Sequence, residues 1–257
     1  MTDPGLRVDV ADGVATLHLS RPERRNALSA ALVEAIGAFF AAPPGDVRAA
    51  VIVGEGDHFS AGLDLSEHHE RTAFQVMEHS QLWHRAFAHV EQGRIPVVSG
   101  LHGAVIGGGL ELALSTHVRV ADPSAFYALP EGRLGIFVGG GGAVRIARVL
   151  GADRMRELML TGRRLPAEDG QRLGLSHELV GPGEAPARAH ELARQIAANA
   201  PLTNRLILAA LPHIADMASE TGLWAESLVA ALSQSTEDAA EGLLAFLEKR
   251  EPGFRGV

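Results

Sequence analysis

The chain contains no cysteine. Disulfides, thiolate nucleophiles and cysteine-based zinc sites are therefore excluded, and the composition fits a cytoplasmic protein. No uncharged apolar run approaches the roughly eighteen residues of a membrane span. The most apolar stretch, 97–120, carries His102, Glu111, His117 and Arg119 and reads as buried core. Met1-Thr2-Asp3-Pro4-Gly5 lacks the basic and apolar regions of a signal peptide. Neither a membrane location nor a membrane partner is expected. Positive charge is scarce: 23 Lys and Arg against 31 Asp and Glu leave a net charge of −8. A nucleic-acid partner, which needs clustered cations, is not expected. A small anionic ligand needs only a few local cations, and Arg24, Arg25 and Lys249 are candidates for that task.

Several chemical signatures are also missing. A dinucleotide fingerprint beginning at Gly107 meets Leu112 where glycine is required, and one beginning at Gly139 meets Val144. There is no Walker P-loop. A nucleophile elbow at Ser60 would need glycine at the position of His58. Glu67-His68-His69-Glu70 has the wrong spacing for a zinc helix, and no metal site is expected.

What is present suits one large α/β domain: 257 residues, 46% of them hydrophobic. Leu6–Val10 and Val14–Leu19 alternate around Asp12-Gly13, a hairpin signal. The spacing predicts a helix over 27–40 with Ser29 as N-cap, a buried strand over 48–53 and a long helix over 67–92. A strand over 96–100, a short helix over 108–115 and a strand over 118–121 follow. This alternation suggests a wound α/β sheet. From Gly141 onward the pattern is helical, over 141–150, 152–161, 185–199, 202–216, 219–234 and 236–249.

Two glycine-rich stretches carry the chemical interest. Gly107-Gly108-Gly109 lies between an apolar strand and a helix, where free N–H groups and a positive dipole end can hold a developing oxyanion. Taken alone it could equally be a tight turn. Phe59 to Leu65 would offer a second N–H, at Leu63, with Asp64 capping or ordering the loop. Glu111 follows the glycines inside an apolar helix, where a carboxylate is costly unless partnered or functional. The competing reading pairs it with Arg133 or another cation. Glu131 follows Pro130 in a loop, before Gly139 to Gly142. Glu111 and Glu131 together read as an acid/base pair beside a backbone oxyanion pocket, a combination that points to acyl thioester chemistry. Trp83 and Phe87, at i and i+4, read as core or pocket wall.

These residues resemble the crotonase (enoyl-CoA hydratase/isomerase) superfamily. The match runs from Arg21-Pro22-Glu23-Arg24-Arg25-Asn26-Ala27-Leu28 to Thr236-Glu237-Asp238 and Phe246-Leu247-Glu248-Lys249-Arg250. The resemblance implies an α/β fold, a crotonase-like spiral of ββα units over 1–195, with a helical C-terminal trimerisation region over 196–257. It implies a homotrimer, often paired into a hexamer. It also implies an acyl-CoA thioester substrate, with no metal or separate cofactor. Carried over by position, the N–H groups of Leu63 and Gly108 form the oxyanion hole. Glu111 and Glu131 match the two carboxylates of true hydratases, and Gly139 the glycine that helps hold the catalytic water. Arg25, Ala61, Asp64 and Leu65 fall in stretches that line the CoA pocket, and Phe246 and Lys249 match C-terminal positions that reach CoA. Leu63 stands where alanine is commoner, and Val138 where proline is frequent. The stretch 60–68 and the loop 129–133 are similar to the methylthioacryloyl-CoA hydratase branch. The expected reaction is hydration of a short enoyl-CoA. The alternatives are methylthioacryloyl-CoA hydration with coupled thioester hydrolysis, double-bond isomerisation, or acyl-CoA hydrolysis.

Overall fold

The computed structural model describes residues 3–67 and 71–257. Strands Leu6–Ala11 (β1) and Val14–Leu19 (β2) pair antiparallel. Both turn residues, Asp12 and Gly13, take positive φ, which matches the strand twist in a two-residue hairpin. Helix Ala30–Ala41 (α1) begins where the Ser29 side chain accepts a hydrogen bond from the Leu32 N–H. The buried strand Ala49–Gly54 (β3) then runs parallel to β2.

Helix α2 covers Ala73–Glu91, opened by a capping box between Thr72 and Gln75. The expected start at Glu67 is corrected: Leu65–Glu67 is a 3-10 turn, because Asp64 accepts bonds from both the backbone and the hydroxyl of Ser66. His68, His69 and Glu70, named in the sequence reading, lie outside the described residues.

The chain continues through Val97–Leu101 (β4), Ala104–Ile106 (β5), helix Gly108–Ala113 (α3), Val118–Ala121 (β6) and Phe126–Ala128 (β7). Then come helices Gly142–Leu150 (α4) and Ala152–Thr161 (α5), strand Leu165–Pro166 (β8), helix Ala167–Arg172 (α6) and strand Glu178–Leu179 (β9). Helices Ala185–Ala197 (α7), Pro201–Ala215 (α8), Ser219–Gln234 (α9) and Glu237–Glu248 (α10) complete it.

Where one wound sheet was expected, the structure has two. The larger has the order β1-β2-β3-β4-β6-β9, and the smaller β5-β7-β8. Isolated bridges Ser60↔Val105 and Leu28↔Leu63 tie the 60–63 segment to the small sheet and to the start of α1. One face of the large sheet packs on α1 and α2 through Leu17, Leu32, Ile36, Ile52 and Phe87. The other receives α7, whose Ala185, Ala189, Ala193 and Ala197 recur at helical spacing. Small side chains let that helix lie close: a Cβ on Gly100 would stand 3.1 Å from the Ala185 carbonyl oxygen. Helices α8 and α9 pack on each other and carry many exposed apolar side chains, among them Leu211, Leu223, Trp224 and Leu228. Among the described residues, no helix is long and apolar enough to cross a membrane.

Candidate active site

The site is assembled where the small sheet meets α2 and α3. Strand β5 ends at Ile106, and Gly107 then turns the chain into α3 with φ 51° and ψ −120°. A side chain there would be doubly excluded, by the positive φ and because its Cβ would lie 2.7 Å from Glu131 Oε1. Gly108 is the first residue of α3, so its N–H has no intrahelical acceptor. The Leu63 N–H is left over for a different reason. Its neighbours are used by the Leu28 bridge, with Leu28 N–H donating to the Gly62 carbonyl and Asp64 N–H to the Leu28 carbonyl, so Leu63 faces the other way. Among the described residues, neither N–H has an acceptor. A Cβ on Gly108 would stand 3.5 Å from the Leu63 nitrogen, which puts the two donors side by side.

Both carboxyls open on the same cavity of about 430 Å³. Their surroundings differ. Glu111, 3% exposed, accepts hydrogen bonds at Oε1 from Gly140 N–H (2.8 Å) and Gly142 N–H (2.7 Å). Burial pushes its pKa up, against the pull of those two N–H groups and the Arg145 charge. Glu131 is 6% exposed and its Oε2 has no partner. Burial pushes its pKa up to about 7, and the Glu111 charge pushes the same way. Burial thus raises both carboxyls of this coupled pair, and the backbone N–H bonds and the Arg145 charge oppose that rise at Glu111. The expected alternative, a Glu111–Arg133 pair, is not found: Arg133 donates to the Thr161 carbonyl.

Of the residues singled out in the sequence, Ala61, Leu63, Leu65, Gly108, Glu111, Glu131 and Gly139 line this cavity. Asp64 does not. It is 5% exposed, held by Arg21 Nη2 at 2.7 Å and by Ser66, and orders the loop that presents Leu63. Burial would raise its pKa, but the bonds from Ser66 and Arg21 prevail and hold it at about 2. Arg24 bonds Ser66 Oγ at 2.6 Å, and Arg25 is exposed; neither lines the cavity. Phe246, 81% exposed, and Lys249, which caps α10 in the left-handed conformation, are likewise absent from its wall.

Sequence reasoning missed several wall residues. Ser80, His79 and Arg71 face the cavity beside Trp83, whose ring stacks at a tilt on His79 and edge-on against Phe87. Leu134, Ile136 and Phe137 close the far side with exposed apolar surface.

Comparison with known proteins gives the family. The family model for enoyl-CoA hydratase/isomerase matches residues 9–257. A 2,3-dehydroadipyl-CoA hydratase of Escherichia coli is 34% identical, covering 95% of each chain. A short-chain-enoyl-CoA hydratase of Clostridium acetobutylicum is 32% identical over 94% of each. Among solved structures, a candidate enoyl-CoA hydratase from Rhodopseudomonas palustris superposes with TM-score 0.94 at 50% identity, covering 97% of both chains. The enoyl-CoA hydratase of Bacillus anthracis gives 0.92 at 33% identity, covering 98% of this chain and all of the other. The fold is that of the crotonase superfamily, and the chain belongs to the enoyl-CoA hydratase/isomerase family.

Proposed function

We propose that this protein adds water across the 2,3-double bond of an enoyl-CoA thioester. One observation carries the reading: Glu131, with its unpartnered Oε2, and an N–H-bonded Glu111 share a cavity with two backbone N–H groups that have no acceptor among the described residues. The Leu63 and Gly108 N–H groups would take the thioester oxygen as it gains charge. An aligned donor of this kind is worth about 3–4 kcal/mol of barrier. Glu111 takes a proton from water as the water oxygen bonds to C3. Glu131 gives its proton to C2, so both new bonds form on the face the carboxyls share. Water occupies the space beside Gly139, whose carbonyl is itself tied to Ser80. No metal or separate cofactor enters the scheme, because the acid, the base and the charge-stabilising donors are all protein groups.

The helical C-terminal region is read as the assembly surface of a homotrimer or hexamer. Leu223, Trp224, Leu228, Leu232, Phe246 and Leu247 are each at least half exposed, more apolar surface than a monomer ordinarily leaves open. Phe246 and Lys249 would then approach the CoA of a neighbouring copy. Light scattering reads the assembly directly, and a monomer at micromolar concentration would refute it.

Crotonyl-CoA supplies the functional test, with enoyl-thioester absorbance followed beside a parallel sample containing a thiol reagent. Rapid loss without thiol release supports hydration. Thiol release with methylthioacryloyl-CoA would move the protein to the coupled hydrolytic branch. A double bond that migrates without consuming water would make it an isomerase.

A further inference from the structure

The segment Gly139–Gly142 poses a physical problem. Glycine is required in it because Glu111 lies so close: a Cβ on Gly140 would stand 3.0 Å from Glu111 Oε2, and one on Gly142 2.8 Å from Oε1. The same four glycines give the backbone more freedom than any other sequence would, and fixing a residue costs about 1–2 kcal/mol. Yet two N–H groups of this segment must both point at one carboxylate oxygen.

Two side chains from outside hold it. Ser80, on α2, donates its hydroxyl to the Gly139 carbonyl at 2.6 Å. Arg145, on α4, donates Nη1 to the Gly140 carbonyl at 3.0 Å. Arg145 is itself anchored by Glu91 at the end of α2, through Nε at 2.8 Å and Nη2 at 2.8 Å. Its side chain is only 12% exposed, so the charge is poorly screened. The peptide between Gly139 and Gly140 is thus held at its oxygen by Ser80 while its N–H serves Glu111, and the next peptide is held at its oxygen by Arg145. Neither Ser80 nor Arg145 was part of the acid/base pair or the oxyanion hole.

We propose that Ser80 and Arg145 are positioning residues for Glu111, clamping the Gly139–Gly142 backbone so that its N–H groups stay aimed at the carboxylate. The clamp opposes the effect of burial on Glu111 and so favours its carboxylate form. It rests on the hydratase reading for its catalytic meaning, but its physical content is a property of the free protein. Among the described residues, the charged and titratable groups that share the cavity with Glu111 or touch the clamp are Arg145 on α4, Glu131 in the turn that follows β7, Glu91, His84 and His79 on α2, and Arg71 ahead of it.

The test is the titration of the Glu111 carboxyl in the unliganded protein, read by carboxyl carbon NMR and assigned with Glu111→Gln. In Arg145→Met the Glu111 pKa should rise by about one unit or more, and Arg145→Lys should restore most of it. Ser80→Ala, a smaller change to a half-buried site, should shift it in the same direction and keeps the test open if Arg145→Met does not fold. Hydration kinetics give the second readout: kcat falls about 10-fold or more in both variants while KM stays within about threefold. A Glu111 titration unmoved in the folded variants would overturn the proposal. Should the titration move while no enoyl thioester is hydrated by the parent protein, the clamp stands and the hydratase reading falls.

Discussion

Glu111 and Glu131 face one cavity, yet Glu111 Oε1 receives two backbone N–H bonds and Glu131 Oε2 receives none. The asymmetry gives two chemically identical side chains, both raised by burial, different hydrogen-bonding environments, and different environments are how one site can hold an acid and a base.

A first consequence is thermodynamic. The Glu131 pKa is raised on folding, from 4.5 to about 7, so the native state binds more protons than the unfolded state between those values. Stability from this group is full below about pH 4.5 and is lost as pH rises through 7. Glu131→Gln removes the penalty. Urea melts should show the variant more stable than the parent by about 3 kcal/mol at pH 8, with the gap closing toward pH 4.5.

Activity should follow the same group. With Glu131 as proton donor and Glu111 as base, kcat/KM for hydration should fall tenfold per unit well above pH 7, and fall again on the acid side as Glu111 takes up its proton. A profile flat to pH 9 would separate Glu131 from the rate.

The oxyanion donors make a structural prediction. A Cβ on Gly108 would lie 2.6 Å from Trp83 Cζ3, so Gly108→Ala must push the indole or tilt the N–H. A loss of about 10²–10³ in kcat is expected. Trp83→Phe in the Gly108→Ala background makes room and should recover part of the loss. Recovery, rather than a further fall, distinguishes a misaimed donor from a damaged core.

Asp64 answers to acid. Its pKa is held at about 2, below the ordinary 3.8, so its contribution is present above pH 4 and disappears as pH falls through 2. Asp64→Asn leaves the Arg21 charge without its 2.7 Å partner and should cost about 1–3 kcal/mol at pH 7. The cost should vanish near pH 2, as read by denaturant melts.

Much of this was legible in the sequence where local rules act. Asp12-Gly13 fixed the hairpin, Ser29 the start of α1, and Glu111 advertised itself as a carboxylate in an apolar helix. The start of α2 was legible too, since Thr72 and Gln75 form a capping box, but the expected helix ran through them to Glu67. Strands β5 and β7 have three residues each and β8 two, too few for any periodicity, so the second sheet was not foreseen. Ser80 and Arg145 gave no signal because each acts on backbone. The Ser80 bond spans 59 residues, and nothing in a run of glycines says which side chain will hold it. Arg24 was singled out by charge and Arg25, Phe246 and Lys249 by resemblance, and a single chain does not bring them to the cavity wall.

The central claim is that Glu131 supplies the C2 proton, and the hydration rate of Glu131→Gln with crotonyl-CoA at pH 7 tests it most directly. The amide is isosteric with the protonated acid but cannot release a proton. The account predicts a fall of about 10²–10⁴ in kcat in a protein that melts no lower than the parent. Near-normal hydration by a folded Glu131→Gln variant would contradict it.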